Sequence, residues 1–378
     1  MKVKVTTTTI LLLFLLGCTE EKVPERFYPR NDHEAYWYSL KQANLLNTAL
    51  GKDWIEASSK PFERQINVSL PYQEAFVLSP LKPDALGYRF DVKRGQKIIV
   101  DIRLLTKDTT KVFVDLFRVE NDSLNEFMHV ASADSTLQLG FEPRKDASYL
   151  LRLQPELLRG GNYTITIENV PTLAFPVAGK DKRAIQSVFG DPRDGGRREH
   201  HGVDIFARRH TPILAPTKAE VRFVGTRGLG GKVVWLYDRK RGTNLYFAHL
   251  QEQKVKRYQT VNPGDTIGTV GNTGNARFTP PHLHFGIYKN GPIDPYAFIV
   301  PEYDRPDYFL PDTSLLDSII VLSKSLIIKS QMDKNAVDID TLLNGSKIAI
   351  QAVNHHYLRV SNGEALTGFI DKNQLSKF

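Results

Sequence analysis

The sequence is poor in features that would assign it to several common protein classes. It has one cysteine in 378 residues, so an internal disulfide is excluded. Its one long apolar run, Ile10 to Leu16, is far shorter than the ~20 residues that a membrane-spanning helix needs. The formal net charge is +8, but Lys and Arg concentrate nowhere as they do in nucleic-acid-binding arms. We therefore expect no nucleic-acid partner, whereas an anionic polymer or lipid suits the basic surface.

The first eighteen residues have the layout of a secretory leader. Two lysines precede the apolar run, and Gly17 and Cys18 follow it. The stretch "LLGC" resembles the lipobox of bacterial lipoproteins, which implies a signal peptide over residues 1–17 and lipidation of Cys18. We expect a cell-envelope protein held by lipid and facing the periplasm, at the outer membrane rather than the inner one. The alternative is an ordinary signal peptide that contains a cysteine.

Hydrophobic periodicity predicts a mainly β, multidomain chain with one short helical segment. Apolar residues from Tyr36 to Leu50 recur every three or four positions, with Asn31 or Asp32 as the N-cap and Gly51 near the helix end. Proline-rich junctions then divide the chain. The predicted units are a lipidated linker with the helical segment (18–61), a β-sandwich (62–172), a catalytic β domain (173–300), a Pro-rich linker (301–314) and a small SH3-like β-barrel (315–378).

The flanking units are predicted from strand alternation. "GYRFDVKRGQKIIVDIRLL" alternates around a glycine, as a β-hairpin would. The region resembles the bacterial pre-peptidase C-terminal domain at Tyr88–Val92 and Gly161–Thr164. The last segment resembles a bacterial SH3-like domain at "GSKIAIQAVNHHYLRV" and "GFIDKNQL", and a generic small β-barrel is the alternative.

Six of the ten histidines lie in the glycine-rich middle segment. In "PPHLHFGI", His282 and His284 are two residues apart, so a strand would present both on one face and turn Leu283 toward a core. In "EHHGVDIF", His200 and Asp204 are four apart, which also permits one face. Catalytic zinc sites use three protein ligands and leave one position open. His200, Asp204 and one of His282 or His284 make such a set.

The same segment resembles a known family, the lysostaphin-type or LytM-like zinc endopeptidases of peptidoglycan. The resemblance covers roughly residues 175–296 and rests on three motifs in order: His200-x-x-x-Asp204, "YFAHL" around His249, and "PHLHF". It implies an antiparallel β domain with a groove across its sheet. In "VNPGDTIGTVG" it implies a lipoyl-like hairpin that turns at Gly264-Asp265.

The resemblance also assigns roles to five residues. It implies that His200, Asp204 and His284 bind Zn²⁺ and that His249 and His282 are the catalytic histidines. His201 is the alternative ligand. Two departures from the family pattern, Pro280 before the "PHLH" run and Gly286 after "HF", leave these positions unchanged but alter the groove wall. His210 is expected in a loop. The four histidines outside the motifs are expected at the surface or in packing, and they are His33, His129, His355 and His356.

The expected function is that of a zinc metalloendopeptidase that hydrolyses peptide bonds in peptidoglycan stems or cross-links. No Ser, Cys or Lys nucleophile constellation competes with it. Three alternatives stay open: a non-catalytic activator of wall hydrolases, a structural lipoprotein that binds the wall, and a zinc peptidase that acts on proteins. The expected partners are peptidoglycan and, through Cys18, a membrane. The sequence identifies no protein partner.

Overall fold

The computed structural model describes residues 29–105, 110–303, 313–332, 336–362 and 367–375. The predicted leader, Cys18 and residues 304–312 of the predicted linker lie outside the described residues. Strands dominate the described chain, which confirms the predicted mainly β class. No helix in these ranges is long and apolar enough to cross a membrane.

The N-terminal helical segment consists of two helices, α1 (Asp32–Gln42) and α2 (Ala49–Glu63). The Asn31 side chain caps α1 by accepting from the Glu34 N–H, as one of the two predicted N-caps. The prediction of one continuous helix was wrong, and so was Gly51 as its end. Asn44 adopts a φ of 56° and ends the first helix, and Thr48 then caps a second one. Gly51 therefore lies in the first turn of α2.

Two sheets face each other in the region after the helices. Their apolar residues form one buried core, with Tyr88, Ile98 and Leu151 among its fully buried members. The first sheet has the order β1-β3-β8-β5-β6, and β2, β9, β4 and β7 adjoin in the second. The strands are β1 (Ile66–Asn67), β2 (Tyr72–Leu78), β3 (Leu86–Val92), β4 (Gln96–Leu104), β5 (Val112–Asn121), β6 (Glu126–Ser132), β7 (Gln138–Phe141), β8 (Ala147–Pro155) and β9 (Gly161–Pro171).

The predicted hairpin between β3 and β4 was wrong. β3 pairs with β8 and β4 pairs with β9, so the chain crosses from one sheet to the other at this turn. Both strands place alternate side chains in the shared core, and this alternation looks the same in a hairpin and in a crossover. Gly95, at the turn, has a φ of 98°, and a Cβ there would lie 2.5 Å from the Phe298 ring. The crossover thus brings the sandwich against the middle segment.

The glycine-rich middle segment folds around a core of its own, in which Val203, Phe247 and Phe285 are fully buried. An eight-stranded sheet has the main order β10-β13-β21-β17-β16-β15-β19, and β14-β20-β18 form a smaller sheet. The elements are β10 (Ile185–Ser187), β11 (Pro192–Arg193), β12 (Arg198–Glu199), β13 (Val203–Phe206), β14 (Pro212–Leu214), β15 (Ala219–Thr226), β16 (Lys232–Asp238), β17 (Thr243–Ala248), β18 (Leu250–Gln253), β19 (Thr260–Val261), β20 (Thr266–Val270), β21 (His282–Tyr288), β22 (Pro292–Ile293) and α3 (Tyr296–Ile299).

The lipoyl-like hairpin expected in "VNPGDTIGTVG" is present only as a turn. Gly264 has a φ of 90° and Asp265 N–H donates to Asn262 O, so the chain does reverse there. The flanking strands do not pair with each other, because β19 joins β15 in the large sheet and β20 joins β14 and β18 in the small one. The turn therefore links two sheets.

The C-terminal segment continues a sheet of the sandwich. Its strand β26 pairs with β2 at Ala75↔Val353 and Phe76↔Ala352. A separate apolar cluster that includes Ile348 and Leu358 forms its core. The elements are β23 (Ile319–Val321), β24 (Leu326–Lys329), β25 (Asp338–Leu342), β26 (Lys347–Val353), β27 (Tyr357–Ser361), β28 (Thr367–Asp371) and α4 (Lys372–Leu375).

Polar contacts fix the middle segment on the sandwich. Arg241 donates to Glu142 at 3.3 Å and to the Thr172 carbonyl at 2.9 Å. Asn169 donates to Glu302 at 2.8 Å. None of these contact residues lines the groove, whose described lining residues all fall between positions 186 and 288.

Candidate metal centre and groove

Two neighbouring antiparallel strands place three of the predicted site residues. β13 pairs with β21 so that Asp204 lies opposite His284 and Phe206 lies opposite His282. Leu283 is fully buried in the core, as the alternation of the strand predicts. His200 precedes β13, and its side chain lies with those of Asp204 and His284.

The side chains of His200, Asp204 and His284 converge on one point. Asp204 Oδ1 lies 3.0 Å from His200 Nε2 and 3.0 Å from His284 Nδ1. The two nitrogens lie 2.9 Å apart, so the three atoms form a nearly equilateral triangle. Four ligand atoms placed tetrahedrally at about 2.0–2.1 Å from zinc are ~3.3 Å apart, so a small widening of the triangle would fit such an ion.

The position of the proton on the His200 ring also favours the binding of a cation by the triangle. His200 Nδ1 lies 2.8 Å from the Val188 carbonyl, which only accepts, so a neutral His200 carries its proton on Nδ1. Its Nε2 then presents a lone pair to the carboxylate oxygen of Asp204. Two lone pairs at hydrogen-bond distance repel each other, and a metal ion bound to both removes the repulsion. The donor set therefore fits a divalent metal.

Burial and contacts set the charge of the triangle. Burial lowers the pKa of His284 and so favours the neutral imidazole that a metal requires. Burial alone would raise the pKa of Asp204, but its polar contacts with the His200 and His284 rings hold that pKa well below the ordinary value. The cluster thus offers an ionised Asp204 carboxylate and a neutral His284 imidazole at neutral pH.

His249 and His282 lie beside the triangle with their rings 5.1 Å apart, centroid to centroid. His249 Nδ1 donates to the Thr273 carbonyl at 2.8 Å, and His282 Nδ1 donates to the Pro280 carbonyl at 2.9 Å. Each neutral ring therefore has its lone pair on Nε2, for which the described residues supply no hydrogen-bond partner. Burial lowers the pKa of His249 to about 4, so this ring is a neutral acceptor at pH 7.

The five side chains line an open groove of about 540 Å³. One wall comes from the 3-10 turns Gly228–Gly230 and Gly274–Phe278, which contact each other. The floor beyond His284 is aromatic, with Tyr246 and Tyr288 each in contact with the Trp235 ring. A groove of this volume is large enough to hold a short segment of a substrate chain.

The remaining histidines considered from the sequence lie away from the triangle. His201, the alternative ligand, is exposed and stacks on Phe189, with ring centroids 6.2 Å apart. His210 is exposed in a turn beside Glu252. His33 stacks on the Trp54 ring of α2, and His129 contacts the Phe117 ring in the first sheet of the sandwich. His355 and His356 are exposed in a turn.

Sequence reasoning missed two features of the groove. Arg193 binds Asp204, and no motif signals that contact. Gly286, noted as a departure, has a structural consequence: a Cβ there would lie 2.9 Å from Tyr288 Cε2 and 3.0 Å from the His201 carbonyl. The missing side chain lets the Tyr288 ring lie across the groove floor.

The middle segment has a match among protein families. Residues 198–295 match the profile of Peptidase family M23. We call this matched region the M23 domain. This match confirms the family relation that the three histidine motifs predict, and the M23 domain holds all five site residues.

Two curated relatives match part of the chain. The L-Ala–D-Glu endopeptidase of Bacillus subtilis is 39% identical over 139 residues, which are 33% of this chain and 42% of that protein. The peptidoglycan DD-endopeptidase ShyC of Vibrio cholerae is 34% identical over 138 residues, 35% of this chain and 30% of that protein. The chain thus spans less than half the length of either relative.

A solved structure also matches part of the chain. It is the catalytic domain of the antimicrobial peptidase lysostaphin from Staphylococcus simulans, at 30% identity. The match covers 29% of this chain and 86% of that chain, with a TM-score of 0.27.

Proposed function

We propose that the protein is a zinc metalloendopeptidase that hydrolyses peptide bonds in peptidoglycan. The convergence of His200, Asp204 and His284 in an open groove, with two further histidines beside it, carries the proposal. Both curated relatives are named as endopeptidases, one of them for peptidoglycan. A non-catalytic role as an activator or wall binder would not require the five side chains to be arranged in this way.

His200 Nε2, Asp204 Oδ1 and His284 Nδ1 would hold the ion. Zinc with three protein ligands binds a water, lowers its pKa to roughly 7 and polarises a neighbouring carbonyl. The ligand set carries a single negative charge, which leaves the ion strongly electrophilic. His200 and Asp204 are fixed by further hydrogen bonds, so the ligand geometry is preorganised.

His249 and His282 would move protons. Backbone carbonyls hold the Nδ1 proton of each ring, which leaves Nε2 free to accept a proton from the attacking water. A ring that has accepted this proton can stabilise negative charge on the attacked carbonyl oxygen. The protonated ring then returns the proton to the leaving amine. Such general acid–base assistance contributes typically ~10²–10⁴-fold to the rate.

We infer which bond is cleaved from the expected location of the protein in the cell envelope. The two relatives are named for different bonds, L-Ala–D-Glu and a DD-bond. We propose cleavage of direct D-Ala–diaminopimelate cross-links, since the leader suits an organism with a periplasm. Mass spectrometry of muropeptides released from defined sacculi tests this. Uncross-linked products from cross-linked dimers support it, and shortened stems from monomers would show that a stem bond is cleaved instead.

The location is proposed from the leader. The Lys-rich start, the apolar run and "LLGC" support export and lipid attachment at Cys18 to the outer membrane, facing the periplasm. An anchor of this kind would keep the groove close to the wall, because a lipoprotein's several acyl chains hold firmly where one holds weakly.

The C-terminal segment is proposed to be SH3-like and to bind the wall. Its short antiparallel strands β23–β28 and its lack of any catalytic constellation among the described residues support this role. Tethering of an enzyme to its polymer raises the effective concentration and can add ~10²–10⁴-fold in avidity. Binding of the protein to whole sacculi, compared with turnover of small soluble muropeptides, is the corresponding test.

A further inference from the structure

The two carboxylate oxygens of Asp204 have different partners. Oδ1 points into the triangle with His200 and His284. Oδ2 points away and accepts a hydrogen bond from Arg193 Nη2 at 2.9 Å. If the carboxylate rotated so that both oxygens faced the centre of the triangle, this charge-assisted hydrogen bond would break. Such bonds are among the stronger kinds in proteins.

Arg193 also reaches the second member of the triangle through Ser187. Its Nη2 lies 2.5 Å from Ser187 Oγ, and that hydroxyl donates to Asp191 Oδ2 at 2.7 Å. Ser187 Oγ is 3.1 Å from His200 Nδ1, where it accepts alongside the Val188 carbonyl. The hydroxyl therefore uses its one proton on Asp191 and both lone pairs on Arg193 and His200.

Arg193 reaches this position because of the local fold. It ends β11, which pairs with β12 immediately before His200. Its side chain is 30% exposed, against 13% for that of Asp204, and both residues line the groove. One residue thus links Asp204 directly, and His200 through Ser187, to the short β11–β12 ribbon.

We propose that Arg193 is a positioning residue that limits Asp204 to one metal-binding oxygen. By occupying Oδ2, it keeps the ligand count at three and leaves the remaining position open. The inference rests on the metal site of the proposed function. Partners of this kind, one step outside the ligands, typically change metal affinity by ~10–100-fold when they are removed.

The test compares Arg193→Met, which keeps the chain length without charge or donors, with Arg193→Lys, which keeps the charge without the guanidinium fork. Zinc affinity is measured by competition with a chelator, and Co²⁺ absorption reports coordination number. Arg239→Met is the matched control, because Arg239 pairs with Glu220 on the opposite side of the large sheet.

We expect Arg193→Met to weaken zinc binding at least ~10-fold and to weaken the intense Co²⁺ bands as a second carboxylate oxygen binds. Arg193→Lys should fall between it and the wild type, and Arg239→Met should match the wild type. Zinc affinity of Arg193→Met within twofold of the wild type would overturn the inference. So would weaker affinity with an unchanged Co²⁺ spectrum, which would assign Arg193 a role in charge or folding alone.

Thermal unfolding of the metal-free variants shows whether each is folded. If Arg193→Met does not fold, Arg193→Lys decides: a shifted Co²⁺ spectrum supports the inference, and an unchanged one overturns it. Failure of the wild type to bind any metal would instead overturn the proposed function, and the inference with it.

Discussion

Arg359 Nη2 lies 3.0 Å from Glu74 Oε1, although 285 positions separate the two residues in the sequence. Both side chains are almost completely buried. The hydroxyls of Tyr72 and Tyr88 donate to the same carboxylate. The pair sits where β26 of the C-terminal segment joins β2 of the sandwich, so the segment completes a polar site inside its neighbour.

Removal of the arginine should therefore destabilise the whole protein. Arg359→Met leaves the Glu74 carboxylate buried without its cation, which typically costs about 3–5 kcal/mol. Urea unfolding of the full chain measures the loss. Arg103→Met is the control, because its partner Asp101 lies at the surface, and it should change stability little. Equal effects of the two variants would show that the buried pair does not hold the C-terminal segment.

The same pair affects how the wall-binding proposal is tested. Deletion of residues 315–378 would expose the edge of β2 and leave Glu74 unpaired, so the shortened protein would lose stability as well as any wall contact. Variants of exposed residues on the C-terminal segment, with the full chain retained, separate the two effects.

His33 gives the stability of the N-terminal region a pH dependence. Its ring is buried, stacks on Trp54 and donates from Nε2 to Gln154. Burial lowers its pKa to about 4, and the nearby Arg152 adds to this. The unfolded chain takes up the proton near pH 6.5, so this contribution is fully present above pH 6.5 and is lost as the pH falls toward 4. The loss approaches ~3 kcal/mol.

Comparison with His33→Leu isolates this effect from the similarly shifted His249. Unfolding free energies of both proteins are measured in urea between pH 7 and pH 4. The wild type should lose stability more steeply than the variant over this interval. Parallel curves would mean that His33 titrates normally in the folded protein.

The proposed catalytic histidines should be separable from the proposed ligands. His249→Ala and His282→Ala remove proton transfer while the triangle stays intact, so each should retain zinc and lose turnover on muropeptides by ~10²–10⁴-fold. Metal analysis and kinetics on the same preparations measure both. Loss of zinc in His282→Ala, with zinc retained in His284→Ala, would reverse the assignment of the pair.

Lipid attachment is expected to depend on Cys18 alone. Cys18→Ala should move the protein from the membrane fraction to the soluble fraction without a change in its turnover of soluble muropeptides. Fractionation of cells that express each form is the measurement. A variant that stays with the membrane would show that another feature of the chain anchors it.

The sequence predicted which side chains lie together better than it predicted the surrounding topology. Spacing within β21 places His282 and His284 on one face, because side-chain direction in a strand depends only on position. The same alternation cannot tell which strand pairs with which, so the β3–β4 crossover and the two sheets around Gly264 were not foreseen. The contact of Arg193 with Asp204 depends on how the β11–β12 ribbon folds back, which local pattern does not encode.

Metal content measured together with turnover tests the central claim most directly. The purified wild type, loaded with zinc and freed of excess, should carry one zinc per chain and cleave cross-linked muropeptides. His284→Ala should carry none and cleave none, because two ligands cannot hold the ion. A wild type without zinc, or a His284→Ala variant that keeps one zinc per chain and its activity, would contradict the account.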